Sequence, residues 1–244
     1  MAFKDNLELR QQLINESKIY GLNITDEQLD KLLLDLDLVM KKNEVINLTR
    51  ITEEKESIKL HLIDSLLLCT SDINYKGKFL DIGTGAGFPG IPFAIYTGMD
   101  GILLDSTRKK IDCVNEFIEE LGLSNQIHGE HSRVEEFALK NKNVFDVISA
   151  RAVAQTNIII EYASPLQKIG GILLVAKANI SDDEFNKGLK AAQICGYQYV
   201  SRETFELPED SGHREILVFK KVKKSKIKLP RKNGVAKQHP LGEE

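Results

Sequence analysis

The sequence predicts an α/β fold: a Rossmann-like, seven-stranded, mostly parallel sheet with helices on its faces and a helical extension in front of it. Three observations carry this. From Lys78 onward, short apolar runs that read as strands (78–82, 101–105, 126–129, 144–150 and 171–177) alternate with helical patterns, the signature of βαβ units. The first of these runs passes straight into glycines at 83, 85, 87 and 90, which reads as a strand, a glycine-rich turn and a helix start. Near the end, 198–206 and 213–221 read as two further strands joined by Pro208-Glu209-Asp210-Ser211-Gly212, an antiparallel hairpin.

Composition bounds the rest. A chain of 244 residues that is 42% hydrophobic can bury one substantial core with appendages. The expected division is a helical extension over 1–75, a Rossmann-like domain over 76–222 and a basic tail over 223–244. The start, Met1-Ala2-Phe3-Lys4, lacks the apolar run of a signal peptide, and no stretch approaches the ~20 apolar residues of a membrane span. A cytoplasmic protein with no membrane partner is expected. Cys69, Cys113 and Cys195 are scattered in apolar helical contexts and form neither a zinc pattern nor a disulfide framework, so no metal is expected. The net charge of −3 hides a division, because 220–237 carries nine Lys and Arg and no acid, leaving the remainder at −12. Such a segment is read either as a local phosphate-binding element or as a solubilising tail.

The amino-terminal part reads as helices. Residues 4–20 have helical spacing, and Thr25-Asp26-Glu27-Gln28 is a capping box that opens a second helix whose Leu29, Leu32, Leu33, Leu36 and Met40 share one face. A third pattern covers about 53–70, with His61 and Asp64 three apart on one face, where they could pair. Asn47 and Thr49, between those helices, suit side-chain to backbone bonds that fix the turn. These residues read as a brace over the mouth of a ligand site.

Glycines after the first strand let a backbone press against a ligand, and the helix start beyond them favours something nucleotide-like. Gly85-Ala86-Gly87-Phe88-Pro89-Gly90 satisfies the dinucleotide pattern G-x-G-x-x-G, and Asp105, 20 residues after Gly85, ends the next strand. That spacing suits a nicotinamide cofactor and S-adenosylmethionine alike. Asp81 discriminates, since a carboxylate there would meet the ammonium end of a methionine favourably and a pyrophosphate unfavourably. The terminal hairpin points the same way, because nicotinamide Rossmann domains usually keep a parallel sixth strand.

Asp81-x-Gly83-x-Gly85-x-Gly87 with Asp105 behind it resembles the first two motifs of the class I S-adenosylmethionine-dependent methyltransferases. The continuation Gly85-Ala86-Gly87-Phe88-Pro89-Gly90-Ile91-Pro92 resembles the RsmG (GidB) family of bacterial 16S ribosomal RNA guanine-N7 methyltransferases. Asn47-Leu48-Thr49, His61-x-x-Asp64-Ser65 and the tail around Pro230-Arg231-Lys232 are also similar to that family. Two departures stand out: Lys42 precedes Asn43 where the family usually has Trp, and Asn233 replaces a second Pro in the tail. The resemblance implies S-adenosylmethionine as cofactor, and as partner the 16S ribosomal RNA of the small subunit or its precursor. It implies methyl transfer to N7 of a guanine in the decoding-region loop. The alternatives are a methyltransferase of the same fold acting on another RNA or a small molecule, a nicotinamide-dependent oxidoreductase, and a non-catalytic binder.

The residues to watch stand just after each strand, where doubly wound sheets bind ligands. After the first, Gly83, Gly85 and Gly87 supply close backbone approach and Phe88 could pack on the ligand. After the second, Asp105 can accept both ribose hydroxyls, with Ser106 and Thr107 beside it; helix capping explains any one of the three. After the third, Ser132-Arg133-Val134-Glu135 resembles the family segment lining the adenine, which makes Val134 and Glu135 cofactor contacts, while Ser132 and Glu135 also form a capping-box pattern. After the fourth comes Arg151, read as holding the methionine carboxylate, an RNA phosphate or guanine O6, with a salt bridge to Glu161 or another acid as the structural alternative. Arg231, Lys232 and Lys237 are read as RNA phosphate contacts. No Asp- or Asn-Pro-Pro-aromatic motif and no cysteine accompanies Arg151. Guanine N7 offers an in-plane lone pair and carries no proton, so no general acid or base is assigned and catalysis rests on positioning and electrostatics.

Overall fold

The computed structural model describes residues 3–243. Two helices, α1 (Leu7–Ile19) and α2 (Asp26–Asn43), open the chain, and Thr25 caps α2 with the full reciprocal capping box that Gln28 completes. A continuous helical stretch then changes pitch along its length: α3 (Glu54–Ser57), a π-helical stretch (Ile58–Ile63), α4 (Asp64–Leu66) and a 3-10 turn (Leu67–Cys69).

The sheet follows: β1 (Lys78–Ile82), α5 (Gly90–Thr97), β2 (Asp100–Asp105), α6 (Arg108–Glu120), β3 (Ile127–His131), α7 (Val134–Lys140), β4 (Phe145–Arg151), α8 (Thr156–Ala163), β5 (Gln167–Lys177), α9 (Asp182–Cys195), β6 (Tyr197–Glu206) and β7 (His213–Lys221). A short helix, α10 (Val235–Gln238), lies in the tail. Strand order is β3-β2-β1-β4-β5-β7-β6, with β1 to β5 parallel and β7 antiparallel between β5 and β6. This is the expected sheet. The order reverses between β1 and β4, so the carboxyl ends of β1, β2 and β4 flank the switch point.

Strand alternation divides the core in two. Phe79, Leu103, Val147, Leu174 and Val218 face one side, and Leu80, Leu104, Ile148, Leu173 and Leu217 face the other. The first face is covered by α5 and α6 and then by the amino-terminal helices, so Leu32, Leu36 and Leu62 share one continuous core with Phe93 and Phe117. The second is covered by α7, α8 and α9. The helical extension is therefore built onto the sheet. β5 starts at Gln167, four residues before its predicted start at 171, because Gln167 pairs with Phe145 ahead of a bulge that returns the register at Val147 and Ile172.

The basic tail is docked along the body. Lys223 N–H donates to Gly196 O (3.1 Å) and Lys226 N–H to Ile194 O (2.8 Å), laying the tail against the end of α9. Ala236 is buried, and Asn157 Nδ2 donates to Leu241 O (2.9 Å). Arg231 clamps the crossing: its Nε and Nη2 donate to the two carboxylate oxygens of Glu161 at 2.7 and 2.5 Å. This corrects its assignment as an RNA contact, because Glu161 is 3% exposed and would be an uncompensated buried charge without it. Among the described residues no helix is long and apolar enough to cross a membrane, and no group of three or more His, Cys, Asp or Glu could hold a metal ion.

Arg231→Ala is expected to lower unfolding stability by about 3 kcal/mol and to make the tail susceptible to proteolysis. Urea denaturation with limited digestion checks this. An unchanged midpoint and an intact tail would mean that the ion pair does not anchor it.

Candidate cofactor and substrate site

The loop between β1 and α5 is held by carboxylates on adjacent strands. Asp81 is fully buried; its Oδ2 accepts from Gly90 N–H (3.1 Å) at the start of α5, and its Oδ1 accepts from the Ser149 hydroxyl on β4 (2.8 Å). Burial pushes its pKa up to about 6 against the pull of Ser149, Thr84, Arg151 and Gly90 N–H. Asp81 does not line the ligand cavity. The expected contact with a methionine ammonium is corrected: Asp81, level with Leu103, lies beneath the start of α5, and its oxygens are occupied by the protein. Asp105 stands on the open side. Its Oδ2 accepts from Gly85 N–H (3.1 Å) and its Oδ1 from Thr107 N–H (2.8 Å), tying the glycine loop to the start of α6.

The backbone of Gly85 has φ +63°, in the left-handed region, and a Cβ placed there would meet nothing closer than Gly83 O at 4.0 Å. It would project into open space, so glycine at this position leaves a cradle. Beside it lies a cavity of about 440 Å³ at the carboxyl ends of β1, β2 and β4, in the size range of small-molecule sites. Of the residues read from the sequence, Gly83, Gly85, Phe88, Asp105, Ser106, Val134, Glu135, Arg151 and Lys237 line it. Gly87, Thr107, Arg231 and Lys232 do not. Gly87 turns toward Ile91, whose Cδ1 would lie 2.7 Å from a Cβ there, and Thr107 gives its N–H to Asp105.

Glu135 serves the tail. Its Oε1 accepts from Gly234 N–H (3.0 Å), while the Ser132 hydroxyl donates to Arg133 O (3.1 Å), so the predicted capping box is not formed and α7 starts without a side-chain cap. Gly234 and Lys237 thereby close one edge of the cavity. Lys110, Arg133 and Tyr162 also line it and were not singled out. Lys110 sits one turn into α6, which its spacing from Asp105 could have shown; Tyr162 is on α8 and carries no local signal.

The opposite edge is the helical brace. The His61 ring stacks on Phe88 (4.5 Å between centroids, 8° between planes), and its Nε2 is 3.0 Å from the Thr49 hydroxyl. Thr49 in turn accepts from Ile51 N–H (3.1 Å). Asn43, rather than Asn47, fixes the turn, its Oδ1 accepting from Leu48 N–H and Thr49 N–H at 2.8 and 2.9 Å. Asp64 does not pair with His61. Its Oδ2 accepts from Arg151 Nη1 (2.7 Å) and its Oδ1 from Arg214 Nε (2.8 Å), an Arg-Asp-Arg bridge between α4, β4 and β7. Arg151 thus finds its acid on α4; Glu161, the acid nearer in sequence, lies on α8 and belongs to Arg231.

Burial, with the nearby Arg151 charge, lowers the pKa of His61 to about 3 from 6.5. Between those values the unfolded chain binds a proton that the folded chain does not, so stability falls as pH drops from 6.5 toward 3. His61→Gln is expected to flatten the fall in unfolding free energy between these limits by a few kcal/mol, read from urea curves at successive pH. Identical slopes would contradict a neutral buried ring.

The family model described as rRNA small subunit methyltransferase G (GidB) matches residues 28–215. The ribosomal RNA small subunit methyltransferase G of Acetivibrio thermocellus is 37% identical over 238 residues, 96% of this chain and 98% of that protein. That of Ligilactobacillus salivarius is 35% identical over 241 residues, 96% and 98% of the two chains. Among solved structures, M. jannaschii TYW2 in complex with AdoMet aligns with a TM-score of 0.53 at 18% identity, covering 71% of this chain and 80% of that one, a likeness of fold. By the extent of the family match and the identity to these relatives, the chain belongs to the rRNA small subunit methyltransferase G (GidB) family.

Proposed function

We propose that this chain transfers the methyl group of S-adenosylmethionine to N7 of a guanine in the 16S ribosomal RNA of the small ribosomal subunit or its precursor. The observation that carries the reading is the Gly85 cradle beside Asp105 at the switch point of the sheet, in a chain of this family. A Cβ at Gly85 would enter the cradle, and each Asp105 oxygen keeps a lone pair beyond its backbone bond, so the residues present suit an adenosine with free ribose hydroxyls. Gly83 and Gly85 would admit the cofactor against the backbone, Asp105 would accept from the ribose, and Val134 would pack on the adenine. When bound, S-adenosylmethionine supplies an electrophilic methyl on a sulfonium.

The protein's part is placement and charge. His61 stays uncharged beside Phe88, adding no positive charge to the wall of the cavity that would take the cofactor, and Asp64 offsets the charge of Arg151. N7 carries no proton, so none of these side chains need act as a base. In this reading residues 1–75 cover the mouth and 223–244 strap its other edge. The RNA phosphates meet Lys110, Arg133 and Lys237, which line the cavity without a carboxylate partner among the described residues, together with the exposed Lys232.

Methyl transfer from labelled S-adenosylmethionine to small subunits lacking the modification, with the labelled nucleoside identified by mass spectrometry, tests this. N7-methylguanine is expected in 16S RNA, with transfer by Asp105→Ala reduced at least roughly tenfold through lost charge-assisted hydrogen bonds. Cofactor binding with label in another RNA, or on another atom, would overturn the substrate assignment.

A further inference from the structure

A second cavity, of about 460 Å³, lies behind the first and shares His61, Arg151 and Ala152 with it as a common wall. Ala152, immediately after β4, has φ +56°, so the chain turns sharply at the point where the two cavities meet. The second cavity has apolar sides from Ile51, Leu60, Ala176 and Ala178. Its polar groups are Asp64, Lys177, the His61 ring and the two guanidiniums of Arg151 and Arg214.

The hydrogen-bonding capacity of these groups is lopsided. Asp64 is engaged by both arginines, and Lys177 Nζ donates to Ala154 O (2.7 Å) and pairs with Glu184 (2.7 Å). Each guanidinium has five N–H donors, and the bonds to Asp64, Leu60 O and His213 O leave several unspent. The chamber therefore offers apolar walls and spare donors while its one carboxylate is occupied. A flat ring with acceptors on one edge suits it. Guanine presents two acceptors, N7 and O6, on its major-groove edge, whereas adenine presents an acceptor and a donor.

We propose that this second cavity receives the acceptor guanine and that Arg214, together with Arg151, reads its O6. The assignment rests on the methyltransferase reading above. With O6 held by the arginines, the adjacent N7 faces the shared wall and the cofactor cavity. The N7 lone pair forms the new bond to carbon as the carbon–sulfur bond breaks, its electron pair stays on sulfur, and the positive charge passes to the base without a proton moving. Arg214 enters from β7, 150 residues away from Asp64 in sequence, so the far hairpin contributes to base selection.

The test uses two variants in the full chain with small subunits as substrate. Ala178 is exposed after β5 and lines the chamber, so Ala178→Phe fills it without disturbing the core or the Arg-Asp-Arg bridge. It is expected to slow methyl transfer about 100-fold by displacing the base, with S-adenosylmethionine affinity and thermal midpoint unchanged. Arg214→Lys keeps the charge but loses the fork and is expected to lower kcat by about 10- to 100-fold, again with cofactor affinity retained. Wild-type transfer rates in Ala178→Phe would overturn the chamber. Loss of cofactor affinity with kcat retained in Arg214→Lys would make that arginine structural. Should the wild-type chain place no N7-methylguanine in 16S RNA, the functional reading fails and this assignment with it; active wild type with indifferent variants overturns this assignment alone.

Discussion

The structure depends on how one glycine loop is held. A loop of positive-φ glycines is intrinsically mobile, and its use as a ligand cradle requires that its backbone be fixed by something other than side-chain packing. Asp81 and Asp105 do this from adjacent parallel strands. Asp81 works from below, buried, joining the start of α5 to Ser149 on β4. Asp105 works from the side, joining Gly85 to the start of α6. Leu104 O takes the Gly83 and Thr84 N–H groups at 2.7 and 3.1 Å, so the loop is bonded to β2 along its first half. Two carboxylates of similar sequence context thus have different duties, one structural and one facing the cavity, and the difference follows from how far along its strand each stands: Asp81, level with Leu103, lies beneath the start of α5, and Asp105, two residues beyond that level on the same face, reaches the open end.

Both ends of the chain complete the site. The helical extension shares the core of the α5 and α6 face, which sets the π-helical turn carrying His61 over Phe88. The tail crosses α8 and brings Gly234 and Lys237 to the opposite lip, held there by Glu135 and Glu161. The distribution of partners sorts the cations. Arg151, Arg214 and Arg231 are each anchored by a buried or nearly buried carboxylate, while Lys110, Arg133 and Lys237 have no carboxylate partner among the described residues. A strongly basic tail on an acidic body is, on this account, partly a structural strap and only partly an RNA contact.

What was legible in the sequence was local. The β1 bounds, the capping box at Thr25, the glycine turn, the place of Asp105 at the end of β2 and the terminal hairpin all follow from spacing within a few residues, and each is found there. What was not legible depends on partners far along the chain. Arg151 and Glu161 are only ten positions apart, yet each pairs elsewhere, Arg151 with Asp64 on α4 and Glu161 with Arg231 in the tail. The Ser132 and Glu135 pattern is a formal capping box that loses to a tertiary partner, the Gly234 N–H. The early start of β5 depends on a cross-strand partner, Phe145, which pairs with Gln167 ahead of a register shift that no local pattern announces. Asp81 was read as facing a ligand because it stands near a strand end, but level with Leu103 it lies beneath α5 and takes the Gly90 N–H, a partner nine residues on.

The most direct measurement is calorimetric titration of S-adenosylmethionine into the wild-type chain and Gly85→Ala. The substituted methyl would stand in the cradle, and its backbone would cost about 1–2 kcal/mol in the left-handed region, leaving the chain folded. The account predicts one cofactor per wild-type chain, with affinity at least about tenfold weaker in Gly85→Ala from overpacking the cradle. Equal affinity in both chains, or binding of a nicotinamide dinucleotide in its place, would contradict it.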